Sequence, residues 1–171
     1  MTAFEKLAIV VGAIAFMEVF AWTVHKYVMH GWGWGWHRDH HEPHDHALER
    51  NDLYAVVFGS FVSAMFVTAW LNPQAAWSEP LWWTALGITC YGLIYAFIHD
   101  GLVHQRFFRW VPKRGYAKRL VQAHKLHHAT IGKEGGVSFG FILAPDPQRL
   151  KAELKRQKAA GIATVRPAAV D

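Results

Sequence analysis

Three long stretches of apolar residues dominate the pattern of polar and apolar positions along the chain. The first, Leu7–Val24, is interrupted only by Glu18. The second, Leu53–Leu71, carries no charge, and the third, Leu81–Ile98, follows a short loop. Each is close to the about 20 residues that a helix needs to cross a bilayer. The pattern predicts an all-α integral membrane protein with three to four transmembrane helices.

The polar segments that follow the third stretch predict two further helices. From Gly115 to Ile131, apolar residues and histidines recur every three or four positions while the opposite face is basic, which is typical of an amphipathic helix on a membrane surface. From Asp146 onward the chain is polar and rich in alanine, so we expect a short exposed helix and a frayed end. We therefore divide the chain into a membrane-embedded domain, residues 1–147, and a polar tail, residues 148–171.

Ten of the twelve histidines form a pattern that occurs twice. Each copy follows an apolar stretch and consists of an H-x4-H pair and an H-x2-HH triplet. The first copy is His25 and His30 with His37, His40 and His41; the second is His99 and His104 with His124, His127 and His128. The remaining His44 and His46 lie beyond Pro43, outside the pattern, and we expect them to be solvated. Such a repeat predicts a metal site.

The topology predicts that all four histidine groups meet on one side of the bilayer. With three spans, the end of the first, the start of the second and the end of the third face the same side. Of the 18 Lys and Arg residues, only Lys6 falls on the opposite side. Because positive charges accumulate in cytoplasmic loops, the histidine side is predicted to be the cytoplasmic side.

The spacings limit how these histidines can share metals. Residues three and four apart lie on one helix face, so an H-x2-HH triplet can direct its imidazoles towards one or two neighbouring ions. Residues five apart are separated by about 140° on an ideal α-helix. Either each H-x4-H pair serves two different metals, or the helix is distorted there. Two copies of five ligands suit two five- or six-coordinate metals, and imidazole accepts iron, zinc and copper alike.

The rest of the sequence excludes other cofactors. The single cysteine, Cys90, rules out a disulfide within the chain, a cysteine-based zinc site and a cysteine-ligated iron–sulfur cluster. The chain has no dinucleotide-binding fingerprint, phosphate-binding loop or C-x-x-C-H haem attachment. If the metals carry out a redox reaction, another protein must therefore supply the electrons.

Two carboxylates are candidates for supporting the ligands. Glu18 lies seven residues before His25, on the same helix face and about 10 Å deeper in the membrane. A carboxylate within a span is costly unless it faces the bundle interior. We expect Glu18 to support a ligand imidazole, to meet a polar group of another span, or to be neutral and only fix helix packing. Asp100, directly after His99, is the second candidate.

Several stretches together are similar to one known family. They are HKYVMHG, HRDHHEP, NDLYAVVFG, HDGLVHQRF, GYAKRLVQAHKLHHA and KEGGVSFGF. From His25 to Pro147 the chain resembles the bacterial non-haem di-iron β-carotene 3-hydroxylases of the fatty acid hydroxylase superfamily. The histidine motifs alone are shared with desaturases, sterol and fatty acid hydroxylases and carotenoid ketolases, whereas HDGLVHQR and EGGVSFGF are more specific.

The resemblance implies a reaction and its partners. It implies hydroxylation at carbon three of each β-ionone ring, which converts β-carotene through β-cryptoxanthin to zeaxanthin. The implied cofactors are two Fe²⁺ ions and O₂, with electrons from ferredoxin and its reductase, in the inner membrane of a bacterium. It assigns the ligand role to all ten histidines of the repeat. No nucleic-acid partner is expected, and the oligomeric state stays open.

Two other classes of function remain at this point. A carotenoid ketolase or a lipid desaturase or hydroxylase would carry the same histidine motifs. A membrane protein that binds or transports a metal would place polar residues in several spans, but Glu18 is the only charged residue within these three. The one-sided histidines also favour an enzyme.

Overall fold

The computed structural model describes residues 1–42 and 48–166, and they are mostly helical. His44 and His46 lie outside the described residues. The elements are α1 (Ala3–Thr23), a first π-helical segment (Val24–Trp32), α2 (Trp34–His41), α3 (Asp52–Leu71), α4 (Ser78–Tyr95), a second π-helical segment (Ala96–Val103), α5 (Gly115–His127), β1 (Thr130–Ile131), α6 (Pro147–Ala159) and β2 (Thr164–Val165).

Three helices of the described chain are long and apolar enough to cross a membrane, as the sequence predicts. They are Ala3–Trp32, Asp52–Leu71 and Ser78–Val103, two of which include a π-helical segment. Helix α4 packs against both α1 and α3. At Gly87 the backbones of α4 and α1 are so close that a Cβ atom would lie 2.6 Å from the Cβ of Ala13. Small residues allow this approach between spans, where packing replaces the hydrophobic effect.

The spans have the expected relative directions. The amino group of Met1 and the Nζ atom of Lys6 lie 2.9 and 2.8 Å from the carboxylate of Glu79, so α1 and α4 begin at the same end of the bundle. Helix α3 runs the other way, because the loop from Asn72 to Trp77 joins it to the start of α4. The histidine groups therefore gather at the end opposite Lys6.

The predicted amphipathic helix is present but shorter than expected. Helix α5 ends at His127, whereas the periodicity suggested Ile131. The hydroxyl of Thr130 donates to the carbonyl oxygen of His127, and Thr130–Ile131 then pairs with Thr164–Val165 as an antiparallel ladder. Ile131 is exposed. It fits the helical periodicity of the sequence, but it is neither in the helix nor buried.

The helix expected to be exposed in the tail is part of a core. Leu150 and Leu154 of α6 are buried in a cluster with Ala123 and Leu126 of α5. Two leucines four residues apart lie on one face of a helix. Because the rest of the segment is polar, its sequence did not indicate a buried apolar face. The short helix is therefore confirmed, but the expectation that it is exposed was wrong for the face that carries Leu150 and Leu154. The division of the chain at residue 147 stays a prediction.

We expect Leu154→Ala to lower the free energy of unfolding by about 2–4 kcal/mol, because the substitution leaves a cavity at a site with 0% exposure. Thermal unfolding of the purified protein in detergent would measure the loss. Lys155→Ala, at the neighbouring exposed position, is the matched control. Equal effects of the two substitutions would contradict the packing of α6.

Candidate metal centre

Both H-x4-H pairs lie where the helix changes from α to π. His25 and His30 are inside the first π-helical segment, and His99 is inside the second, with His104 as the next residue after it. A π-helix closes hydrogen bonds between residues five apart. The N–H of His104 accordingly donates to the carbonyl of His99 at 2.9 Å. The distortion brings each pair onto one face, so of the two alternatives the distorted helix is the correct one.

Nine of the ten histidines of the repeat form two groups that could each hold an ion. Within each group, one nitrogen per histidine lies within 4.8 Å of all the others. The first group contains His25, His30, His37, His41 and His127, and the second contains His40, His99, His104 and His124. His128 is in neither group, but its Nε2 atom lies 2.9 Å from that of His124.

The groups do not follow the two sequence copies. His40, from the first copy, lies in the second group, and His127, from the second copy, lies in the first. Consecutive residues of an α-helix point about 100° apart, so His40 and His41 must face different directions, as must His127 and His128. Each triplet therefore contributes to both groups and ties them together.

Oxygen acceptors around the groups fix the orientation of six imidazoles. The Nδ1–H of each donates outward over 2.6–3.0 Å. The acceptors are the carbonyls of Phe139 for His25, Lys133 for His30 and Val137 for His127, and the side chains of Asn51 for His37, Glu49 for His40 and Asp100 for His99. In a neutral imidazole this leaves a lone pair on Nε2, directed into the group.

The arrangement of these lone pairs fits metal ions. Three Nε2 pairs lie 3.1, 3.2 and 3.0 Å apart: His25 with His37, His30 with His127, and His40 with His99. Neither member of these pairs has a proton to share, so the lone pairs repel each other. A cation removes the repulsion, and two nitrogens bound at about 2.1 Å and at a right angle are about 3.0 Å apart.

The electrostatic environment keeps His37, His124 and His127 in the neutral form, which can bind metals. Burial lowers the pKa of His37 to about 3. Burial, followed by the neighbouring imidazoles, lowers the pKa of His124 and His127 well below the usual range. These three imidazoles are therefore neutral at neutral pH, and a metal would not have to displace protons from them.

Glu18 meets a polar group of another span and is linked through the backbone to the histidine groups. Its carboxylate accepts the hydroxyl of Tyr91 at 2.8 Å and the N–H groups of Phe141 and Leu143 at 3.0 and 2.9 Å. Ile142 donates its N–H as well. Phe141, Ile142 and Leu143 belong to residues 133–144, a segment that we call the strap. The strap also carries the three carbonyls that orient His25, His30 and His127. Glu18 therefore anchors the segment that orients these three imidazoles.

Asp100 lies beside His99, as expected. Two residues with a similar position, Glu49 and Asn51, were not predicted from the sequence. The Oδ1 atom of Asp100 accepts from His99, and Arg106 lies 3.5 Å from the same oxygen. Arg106 also binds both carboxylate oxygens of Asp52 at 2.8 Å. Glu49 and Asn51 support His40 and His37 in the same way. Their position just before α3, at the histidine end of a span, was the only signal in the sequence.

An apolar cavity of about 520 Å³ lies between α1, α3 and α4 and leads towards the histidine groups. Along α3 it is lined from Asn51 to Phe66, so it extends over about 20 Å of helix length. Tyr95, Asp100 and Phe141 line its metal end. An elongated apolar molecule can therefore lie between the spans with one end beside the histidine groups.

Comparison with known proteins assigns the family. Residues 10–145 match the fatty acid hydroxylase family. The chain belongs to this family. It is 55% identical over 149 residues to the "Beta-carotene hydroxylase" of a Paracoccus species, covering 86% of this chain and 89% of the relative. It is 52% identical over 153 residues to the protein of the same name in Pantoea ananas, covering 89% and 85%.

More distant relatives extend to chloroplasts. The "Beta-carotene 3-hydroxylase, chloroplastic" of Haematococcus lacustris is 40% identical over 143 residues, which cover 81% of this chain and 43% of the relative. No solved structure matches the chain. The family resemblance inferred from the histidine motifs and from HDGLVHQR and EGGVSFGF is thus confirmed.

Proposed function

We propose that this fatty acid hydroxylase family member is a membrane-bound β-carotene hydroxylase. It hydroxylates carbon three of each β-ionone ring, giving β-cryptoxanthin and then zeaxanthin. The observation that carries the proposal is the pair of buried imidazole groups at one end of an elongated apolar cavity. The names of the bacterial relatives support β-carotene as the substrate.

The two groups would hold two Fe²⁺ ions. The first group offers five imidazoles, and the second offers four to which His128 adds a fifth. His128 occupies the last position of its triplet, as His41 does in the first copy, and its Nε2 already lies beside that of His124. Iron held by these residues would supply the activation of O₂ that the breaking of an unactivated C–H bond requires.

The chain's own residues position the substrate and exclude water. In the overall reaction a ring C–H bond is replaced by C–OH with one oxygen atom of O₂, and the other leaves as water after uptake of two electrons and two protons. The apolar wall of the cavity keeps water from the ring and restrains the ring near the metals. The strap and the carboxylates of Glu49 and Asp100 fix the imidazoles, so that the ligands do not rearrange during turnover.

The electrons come from outside the chain, and we assign their delivery to ferredoxin and its reductase. Both are soluble proteins, so we place the histidine end on the cytoplasmic side of the bacterial inner membrane, where they could reach it. The excess of Lys and Arg at the histidine end supports this orientation. Exposed basic residues of α5, such as Lys118 and Lys125, also suit contact with anionic lipid headgroups.

A metal transporter fits the described residues less well. The cavity between the spans is apolar, and no histidine of the two groups lines it. The charged residue inside the first span, Glu18, is already bonded to Tyr91 and to the strap. The carboxylates that line the cavity, those of Asp52 and Asp100, both lie at its histidine end, so a cation would find no charged ligand along the rest of this route.

Expression in cells that accumulate β-carotene, followed by pigment chromatography, tests the proposal. We expect β-cryptoxanthin and zeaxanthin to replace most of the β-carotene. A His99→Ala variant, expressed at the same level, should leave the pigment unchanged. Keto products would identify a ketolase, and unchanged β-carotene with the parent protein present in the membrane would refute the hydroxylase.

A further inference from the structure

The metal end of the cavity is closed by two aromatic side chains. The rings of Tyr95 and Phe141 lie 4.6 Å apart at an angle of 74°, and both line the cavity. None of the ten histidines of the repeat is among the lining residues in the described part of the chain. A single layer of side chains therefore separates the space for a substrate from the metal ligands.

Phe141 contacts ligands of both groups. Its ring stacks on His25 of the first group, with centroids 5.2 Å apart and an angle of 11°. It also meets His99 and His124 of the second group at 5.6 and 6.1 Å. Tyr95, by comparison, stacks on His99 at 4.7 Å. Phe141 thus lies at the boundary between the cavity and both metal groups.

The backbone of Phe141 is held independently of its ring. Its N–H and those of Ile142 and Leu143 donate to the carboxylate of Glu18, over 2.9–3.1 Å. Phe141 is buried. A change in the side chain alone therefore alters the end wall of the cavity while the strap keeps its attachment to α1.

We propose that Phe141 determines which ring carbon of an isoprenoid substrate meets the metal centre. The inference rests on the proposed function and adds the residue that sets its position specificity. A ring that enters the cavity stops against the Phe141 side chain. Neighbouring methylene groups of a six-membered ring are only about 1.5 Å apart, the length of a C–C bond. A displacement of this size at the end wall exchanges one reacting carbon for the next.

Two substitutions test the role of the wall from both sides. Phe141→Leu shortens the side chain and lets the ring advance, so we expect the share of products oxygenated at ring carbons other than three to rise at least about fivefold. Phe141→Trp fills the end of the cavity, so we expect total hydroxylation to fall at least about tenfold while bound iron stays at the wild-type level. Products are identified by chromatography and mass spectrometry, and iron by elemental analysis.

Phe139→Leu is the matched control. Phe139 lies on the same strap and contacts His25, His30 and His127 at 5.2–5.4 Å, but it does not line the cavity. We expect this variant to change the amount of product and not the carbon that is hydroxylated. A shift in position as large as that of Phe141→Leu would assign the effect to ligand packing and overturn the proposal.

The remaining outcomes separate this inference from the proposed function. Wild-type product ratio and rate in either Phe141 variant, with normal iron, would refute the role of Phe141 while leaving the hydroxylase intact. Absence of ring-hydroxylated product from the parent protein would instead refute the function itself. Either variant is sufficient for a decision if the other does not accumulate in the membrane.

Discussion

His127→Ala is expected to abolish hydroxylation, lowering turnover at least about 100-fold, and to empty the metal site formed mainly by the first sequence copy. Its Nε2 lies 3.2 Å from that of His30, and its Nδ1–H donates to the carbonyl of Val137. Loss of this imidazole removes one of five ligands from the first group. His40→Ala should have the same effect on the second group, where His40 faces His99 at 3.0 Å.

Product formation and iron content per chain measure this outcome. The parent protein should bind about two iron atoms per chain, and each variant should bind fewer. Spectroscopy of the remaining iron should show different environments in the two variants, because a different site stays occupied in each. His44→Ala and His46→Ala are controls from outside the repeat and should retain most activity. Unchanged activity in both His40→Ala and His127→Ala would exclude the two-metal assignment.

Glu18→Gln is expected to reduce both stability and turnover, although it changes only one atom of the side chain. All the groups around Glu18 are donors: three backbone N–H groups and the hydroxyl of Tyr91. An amide keeps one acceptor oxygen and turns its NH₂ towards N–H groups. The loss of hydrogen bonds to a charged acceptor costs about 1.5–3 kcal/mol each, so the strap should shift or loosen.

The expected result is a fall in turnover of at least about tenfold together with reduced bound iron, since the strap orients three ligands and carries Phe141. Thermal unfolding, iron content and product yield are measured on the same preparation. Tyr91→Phe keeps the carboxylate and its backbone donors and removes one hydrogen bond to it, so its effect should be limited to the loss of that single bond, about 1.5–3 kcal/mol. Normal stability, iron and turnover in Glu18→Gln would show that the strap does not depend on the carboxylate.

The sequence alone predicted the membrane spans and the side on which the histidines gather. Apolar stretches such as Leu53–Leu71 are too long and too free of charge for another placement, and hydrophobicity acts through each segment separately. The order of three spans then places all four histidine groups at one end without any knowledge of packing. The family followed from motifs that are themselves local in the sequence, such as HDGLVHQR.

The tertiary structure alone decided how the histidines are shared and what supports them. The spacing within each triplet implies only that its neighbouring histidines face apart. Which group His40 and His127 join depends on the relative rotation of α2 and α5, which lie far apart in the chain. The hydrogen bonds of Glu18 to residues 141–143 and the burial of Leu154 likewise join distant segments. Such contacts depend on how complete elements pack together, and a periodicity read along one element carries no information about its partner.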